Sequence, residues 1–205
     1  MLSKTGDITS KEAYSSIRNI GSKVLWGRLI WQSYIQPTQS TLLWRIILNC
    51  LSTDDNLKVA GLCFPSWCSM CNVAEDGVFH LFFHCQFANL IWEFFMSRFG
   101  INNPFNGNII SFINPTVVTS FSSYVRAIWI KVIACIFSKI WFEHNRRIFH
   151  DEFTSVMEII GSTMAAVKDI KHFEVGSMYN SQAEKLLKHP HSNSVTEKRL
   201  PWWCT

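Results

Sequence analysis

Four residues in one short stretch have the types and the spacing to hold an ion: Cys68, Cys71, His80 and Cys85, arranged as Cys-x2-Cys-x8-His-x4-Cys. A Cys-x2-Cys pair supplies two thiolates from one tight turn, and a second pair from a later segment completes the tetrahedron that zinc prefers. Four protein ligands leave no open position for water, so such an ion is structural and not hydrolytic. The expectation is one structural Zn2+ held by these four side chains. His84 competes with His80, since it gives a Cys-x2-Cys-x12-His start like that of a two-cysteine, two-histidine finger. No second His follows it three to five residues on, and His80 is therefore preferred. In a straight helix, residues five apart point about 140° apart, so His80 and Cys85 share an ion only if the helix deforms or ends between them. The plain alternative is a set of buried free thiols, with His80 paired to a carbonyl.

Other reactive groups are dispersed. Ribonuclease H chemistry needs several carboxylates converging on divalent metal, but Asp54-Asp55 and Asp151-Glu152 fall at helix starts, where the helix dipole explains them. Glu143-His144-Asn145-Arg146 with His150 reads as a charged face on an otherwise apolar helix, and no nucleotide-binding glycine loop occurs. The chain is expected not to be an enzyme and to have no small-molecule substrate. Cys50, Cys63, Cys135 and Cys204 lie outside the ligand spacing and read as small hydrophobes. Seven cysteines without a secretory signal point to a reducing, intracellular compartment, with nucleus and cytoplasm equally compatible.

Nucleic acid would be repelled near the cluster. No Lys or Arg lies between Lys58 and Arg98, while Glu75, Asp76 and Glu93 do, and three thiolates with a neutral His on zinc add a formal −1. The more credible phosphate face is the later helix bearing Arg126, Lys131, Lys139, Arg146 and Arg147 against Glu143, although a solvated helix face is the commoner meaning of such charges. The alternative function is thus weak, non-specific nucleic-acid binding through residues 121–148.

The elements that must position the cluster read as helices. Thr9-Ser10-Lys11-Glu12 is a capping box before a short helix through Ala13, Ile17 and Ile20. Val24, Leu25, Leu29 and Ile30 recur at helical spacing until Gln36-Pro37 breaks the run. A third helix is predicted from about 40 to 51, and a fourth over 54–60 closed by Gly61. Residues 62–79 show no apolar period and need another organiser, which a metal would supply. A helix over 86–98 ends at Gly100, and 101–120 reads as a long loop and domain boundary. Long helices follow over 121–148 and, from the capping box Ser155-Val-Met-Glu158, to about 172. Beyond Gly176 the composition turns to Ser, Asn, Lys and His, as in a flexible tail. The predicted class is mainly α: short helices around a small structural zinc site, then two longer helices and a disordered tail. The domains divide as 1–100, a linker at 101–120, a helical region at 121–175 and the tail at 176–205.

Composition sets the bounds. In 205 residues, 48% are hydrophobic and the aromatics are 16 Phe, 9 Trp and 4 Tyr, which excludes a disordered chain. No run of about 18 apolar residues occurs; the most hydrophobic segment, 124–141, carries Arg126, Lys131 and Lys139 and reads as a buried helix. A net charge of +4 is too mild to announce a nucleic-acid partner.

Taken in order, several motifs resemble the zinc-binding domain that follows the reverse transcriptase in plant LINE-type (non-LTR) retrotransposons. They are Thr5-Gly6, Thr9, Ala13-Tyr14, Trp26-x4-Trp31, Pro37, Leu43-Trp44-Arg45, Leu51-Ser52-Thr53, Asn56-Leu57, Cys68-x2-Cys71, His80-Leu81-Phe82-x2-Cys85 and Trp92. The resemblance covers roughly residues 5–100. One departure is Asp76, where the family usually has Glu four residues before the His. Ile140-Trp141 with Asn145-Arg146-Arg147-Ile148-Phe149 is similar to the helix that commonly follows, and Leu200-Pro201-Trp202-Trp203 to the start of a linker into a ribonuclease H-like domain. The resemblance implies a fragment of a retroelement polyprotein without its polymerase and nuclease, acting as a non-catalytic structural or interaction module. Its expected partners are those polymerase and nuclease domains or, weakly, nucleic acid, and not a membrane.

Overall fold

Pro37 begins a helix and does not merely end one. Gln36 is extended, and Pro37 sits in the first turn, where its fixed φ suits the helix and its missing N–H leaves no bond unmade. The computed structural model describes residues 26–62, 67–102, 107–114 and 122–168, together with Tyr14, Ser16 and Val24. Among them the helices are α1 (Gly27–Ile30), α2 (Pro37–Ile47), α3 (Asp54–Val59), α4 (Gln86–Phe99), α5 (Ile109–Ile113), α6 (Ser123–His150) and α7 (Val156–Lys168). A wide π-turn, His80–His84, precedes α4. The mainly helical class holds: no strand forms among the described residues, only the isolated antiparallel bridge between Trp67 and Glu75.

Local chemistry explains most ends. Asp54 and Asp55 occupy the first turn of α3, and Gly61 follows it at φ 86°. Gly100 closes α4 in the left-handed conformation. The Ser122 hydroxyl accepts from the Val125 amide at the start of α6, and Asp151 ends it at φ 53°. The capping box of α7 is reciprocal, with Ser155 N–H donating to Glu158 and Glu158 N–H donating to the Ser155 hydroxyl.

Three elements differ from the sequence reading. The helix expected from Val24 toward Pro37 is reduced to the four residues of α1: Trp31 leaves helical geometry at φ −97°, ψ 62°, and the Ile30 carbonyl accepts the Ser40 hydroxyl at 2.7 Å. The helix expected over 40–51 spans Pro37–Ile47 and stops before Asn49, which is left-handed. The 101–120 loop contains α5, capped by the Asn108 side chain on the Ile110 amide, and α5 buries Phe112 completely. Tyr14 and Ser16 are helical and exposed; the rest of the helix expected over 9–20, the end of the last helix beyond 168 and the tail at 176–205 lie outside the described residues.

α6 is the axis of the molecule. From Val125 to Ile140 it is buried almost all round, as expected of a helix apolar on every face, and α2, α4, α7 and the π-turn pack on it. Among the described residues an apolar core runs from Ile30 to Val167. At its centre Phe137 meets Phe82, Phe83 and Trp92 with ring centroids 5.0, 5.6 and 5.5 Å away. That aromatic cluster lies directly beneath the π-turn. No helix among the described residues is long and apolar enough to cross a membrane.

Candidate metal centre

The first two cysteines come from a knuckle. The Cys68 amide donates to the Ala74 carbonyl at 2.8 Å beside the Trp67–Glu75 bridge, while the Cys68 carbonyl accepts from the Cys71 and Asn72 amides. Asn72, at φ 54°, turns the chain back. The third and fourth ligands flank the π-turn. Closing i→i+5, with the Cys85 amide on the His80 carbonyl at 2.7 Å, this wider turn carries Cys85 back to the side of His80, and the extended Cys85 ends it. The helix thus both deforms and ends between the two, as a shared ion demands.

The ligand atoms of Cys68, Cys71, His80 and Cys85 all lie within 4.8 Å of one another. Cys68 and Cys85 sulfurs are 3.9 Å apart, and Cys71 Sγ is 3.2 Å from His80 Nε2. A tetrahedron with Zn–S bonds of about 2.3 Å has S···S edges of about 3.8 Å, so the donor set fits zinc in type, number and spread. His84, the competing ligand, is exposed at the end of the π-turn and is not in the cluster.

The titrating groups of the cluster shift in opposite directions. Cys85 accepts a hydrogen bond from Cys68 and is faced by the Phe87 and Ala88 amides at the start of α4, which together hold its thiol below the usual range. Cys68, the donor in that pair and buried, is pushed upward despite hydrogen bonds from the Met70 and Cys71 amides. Burial lowers His80 against the opposing pull of Asp76, favouring the neutral imidazole that coordinates metal.

Residues 8–92 match the family model described as zinc-binding in reverse transcriptase. This zinc-binding segment contains all four clustered ligands. No curated protein and no solved structure matches the chain.

The five basic residues of α6 do not share one face. Lys131 is only 6% exposed and donates to Gln39 Oε1 of α2 at 3.3 Å, because α2 covers that side of α6. Arg147 turns toward the zinc-binding segment, to Glu143 and to the carbonyls of Ser69 and Met70. Arg146 is paired with Glu152 at 2.6 Å. Arg126 and Lys139 are partly exposed on α6. Helical spacing puts Arg126, Lys139 and Arg146 in one sector with Lys131 and Arg147 flanking it, and the two flanking cations are the ones turned to protein partners.

The carboxylates have structural roles. Asp55 accepts the Val78 amide at 3.3 Å across a gap that only Gly77 leaves, since a Cβ there would lie 2.9 Å from its Oδ2. Asp76 and His144 form a pair at 3.1 Å, both almost fully buried, that joins the segment before His80 to α6. Spacing gave no sign of that pair. The i,i+4 placement of Glu143 and Arg147 was the one visible hint of their ion pair.

Proposed function

We propose that this chain is a non-catalytic, zinc-stabilised module of a plant LINE-type retrotransposon polyprotein, serving to dock its polymerase and nuclease domains. The observation that carries this reading is the four-ligand cluster, whose complete coordination leaves no position for a reacting water. The dispersed carboxylates add support, since Asp55, Glu143 and Glu152 are occupied by amides and guanidinium groups. The test is elemental analysis of protein purified without chelator, alongside incubation with an RNA–DNA hybrid and magnesium. About one zinc per chain and an intact hybrid are expected. A folded, metal-free wild type, or cleavage that disappears on Asp54→Asn or Asp151→Asn, overturns the reading.

A second reading, weak nucleic-acid contact, draws on the exposed Phe142 and Phe149 of α6 and on its partly exposed Arg126 and Lys139. With Lys131 and Arg147 turned inward, about two phosphates are left to neutralise, for a log–log salt slope of about −1 to −2 on single strands. Arg126/Lys139→Ala should flatten that slope and Lys131→Gln should not; the reverse result sinks this reading.

A further inference from the structure

The two residues between Cys68 and Cys71 present peptide groups that are held from both sides. The Met70 and Cys71 amides belong to the turn that follows Cys68, and the Cys71 amide donates to the Cys68 carbonyl at 3.3 Å. The carbonyls of the same two peptide units, on Ser69 and Met70, point the other way, as trans geometry requires, and accept from Arg147 Nη1 at 3.3 and 3.2 Å. A guanidinium on the carbonyl end of a peptide strengthens what its N–H end offers, because hydrogen bonds in series polarise one another. The guanidinium holds both peptide units of the turn by their carbonyl ends.

Arg147 is itself fixed. Its Nε donates to Glu143 at 2.8 Å, and Glu143, 2% exposed, also accepts the Thr154 amide at 2.8 Å. Phe87 of α4 and Phe153 of the α6–α7 connection lie over the guanidinium, 4.7 and 5.2 Å from its carbon. A planar fork that stacks and donates in two directions is a task for Arg and not for Lys. We propose that Arg147, beyond the family-matched segment, is a positioning residue for the metal centre, holding the Ser69 and Met70 carbonyls and with them the turn between Cys68 and Cys71, so that the ligand pair keeps its shape and zinc is released slowly. This deepens the reading of the cluster as a zinc site and rests on it.

The experiment uses the full chain loaded with zinc, following transfer of the ion to an excess of a chromophoric chelator, and the same chain loaded with cobalt for its thiolate-to-metal absorption. Arg147→Lys keeps the charge and loses the fork; it should release zinc about 10- to 100-fold faster, as outer-shell substitutions do, with a shifted cobalt band. Phe153→Ala removes one stacking face at a position that is 66% exposed, leaves the fold intact and should speed release about two- to fivefold. Ile133→Val, a mild change in the core far along α6, should alter neither readout. Wild-type release and an unshifted cobalt band in both Arg147→Lys and Phe153→Ala overturn the proposal, as does an Ile133→Val protein that behaves like them. A wild type that binds no zinc instead overturns the zinc site on which it rests.

Discussion

Trp92→Phe removes one hydrogen bond and one ring from beneath the metal centre. The Trp92 indole N–H donates at 2.7 Å to the carbonyl of Phe82, which lies inside the π-turn between His80 and Cys85. Phe cannot replace that donor, and an unpaired buried carbonyl costs about 1–3 kcal/mol. Phe is smaller than Trp by about 40 Å³, and at about 24 cal/mol per Å³ of residual cavity the void adds about 1 kcal/mol. The lost volume sits against Phe112 and Phe137, whose ring centroids are 4.8 and 5.5 Å away. The total is about 2–4 kcal/mol, within the stability of a domain, so the variant should fold. Urea unfolding of the zinc-loaded chain, followed by far-ultraviolet circular dichroism, should show a midpoint about 1–2 M lower at an unchanged slope. Trp44→Phe, at a side chain 42% exposed, is the control and should stay within about 0.5 kcal/mol of wild type. Equal midpoints for the two variants would refute the assignment of the Phe82 carbonyl to Trp92.

Gly100 and Gly161 should respond oppositely to alanine. Gly100, at φ +62°, has open space around it, so Gly100→Ala meets only backbone strain and should lower stability by about 1 kcal/mol, whereas Gly161→Ala, inside α7 with nothing within 4 Å, should raise it by about 0.5–1 kcal/mol; thermal unfolding of both checks the signs. Glu143 titrates below the usual carboxylate range, because the Thr154 and Arg147 hydrogen bonds outweigh the upward push of burial. A depressed folded value means stability present above the unfolded value, near 4.3, and lost as pH falls through the folded one. The gap in melting temperature between wild type and Glu143→Gln should therefore narrow below about pH 4.5; a gap that is constant from pH 7 to 3 contradicts the placement of that charge.

Legibility in the sequence followed range. The metal ligands fall within 18 consecutive positions, and their residue types carry the geometry, so both the cluster and the need for a distorted helix between His80 and Cys85 could be read directly. Helices α4 and α6 were equally plain, being long, periodic and bounded by glycine or hydroxyl caps. α5 was not, because five residues are too few to display a period, and Asn108 was read as loop chemistry when it was a cap. The role of Arg147 was hidden by distance: its carbonyl partners lie 77 and 78 positions earlier, and on the sequence alone it was one more cation on a helix. The partner of Lys131 was hidden in the same way, since only the packing of α2 brings Gln39 to it.

The two fastenings of the knuckle close chain loops of very different size, and the two closures differ in entropic cost. Metal joins Cys68 to Cys85 across 17 positions, whereas the Arg147 contact with Ser69 spans 78. Loop-closure entropy grows as three-halves of RT times the logarithm of length, so the longer closure costs about 1.3 kcal/mol more before any contact rewards it. The ion can gather its ligands while α6 is still a separate helix, in a short loop whose ends meet often. A knuckle closed first in this way would offer α6 a surface that already has its shape. The lifetime of the early, unclasped centre is set by local chain alone, and that of the finished one by a helix that has to leave the core before the knuckle can open.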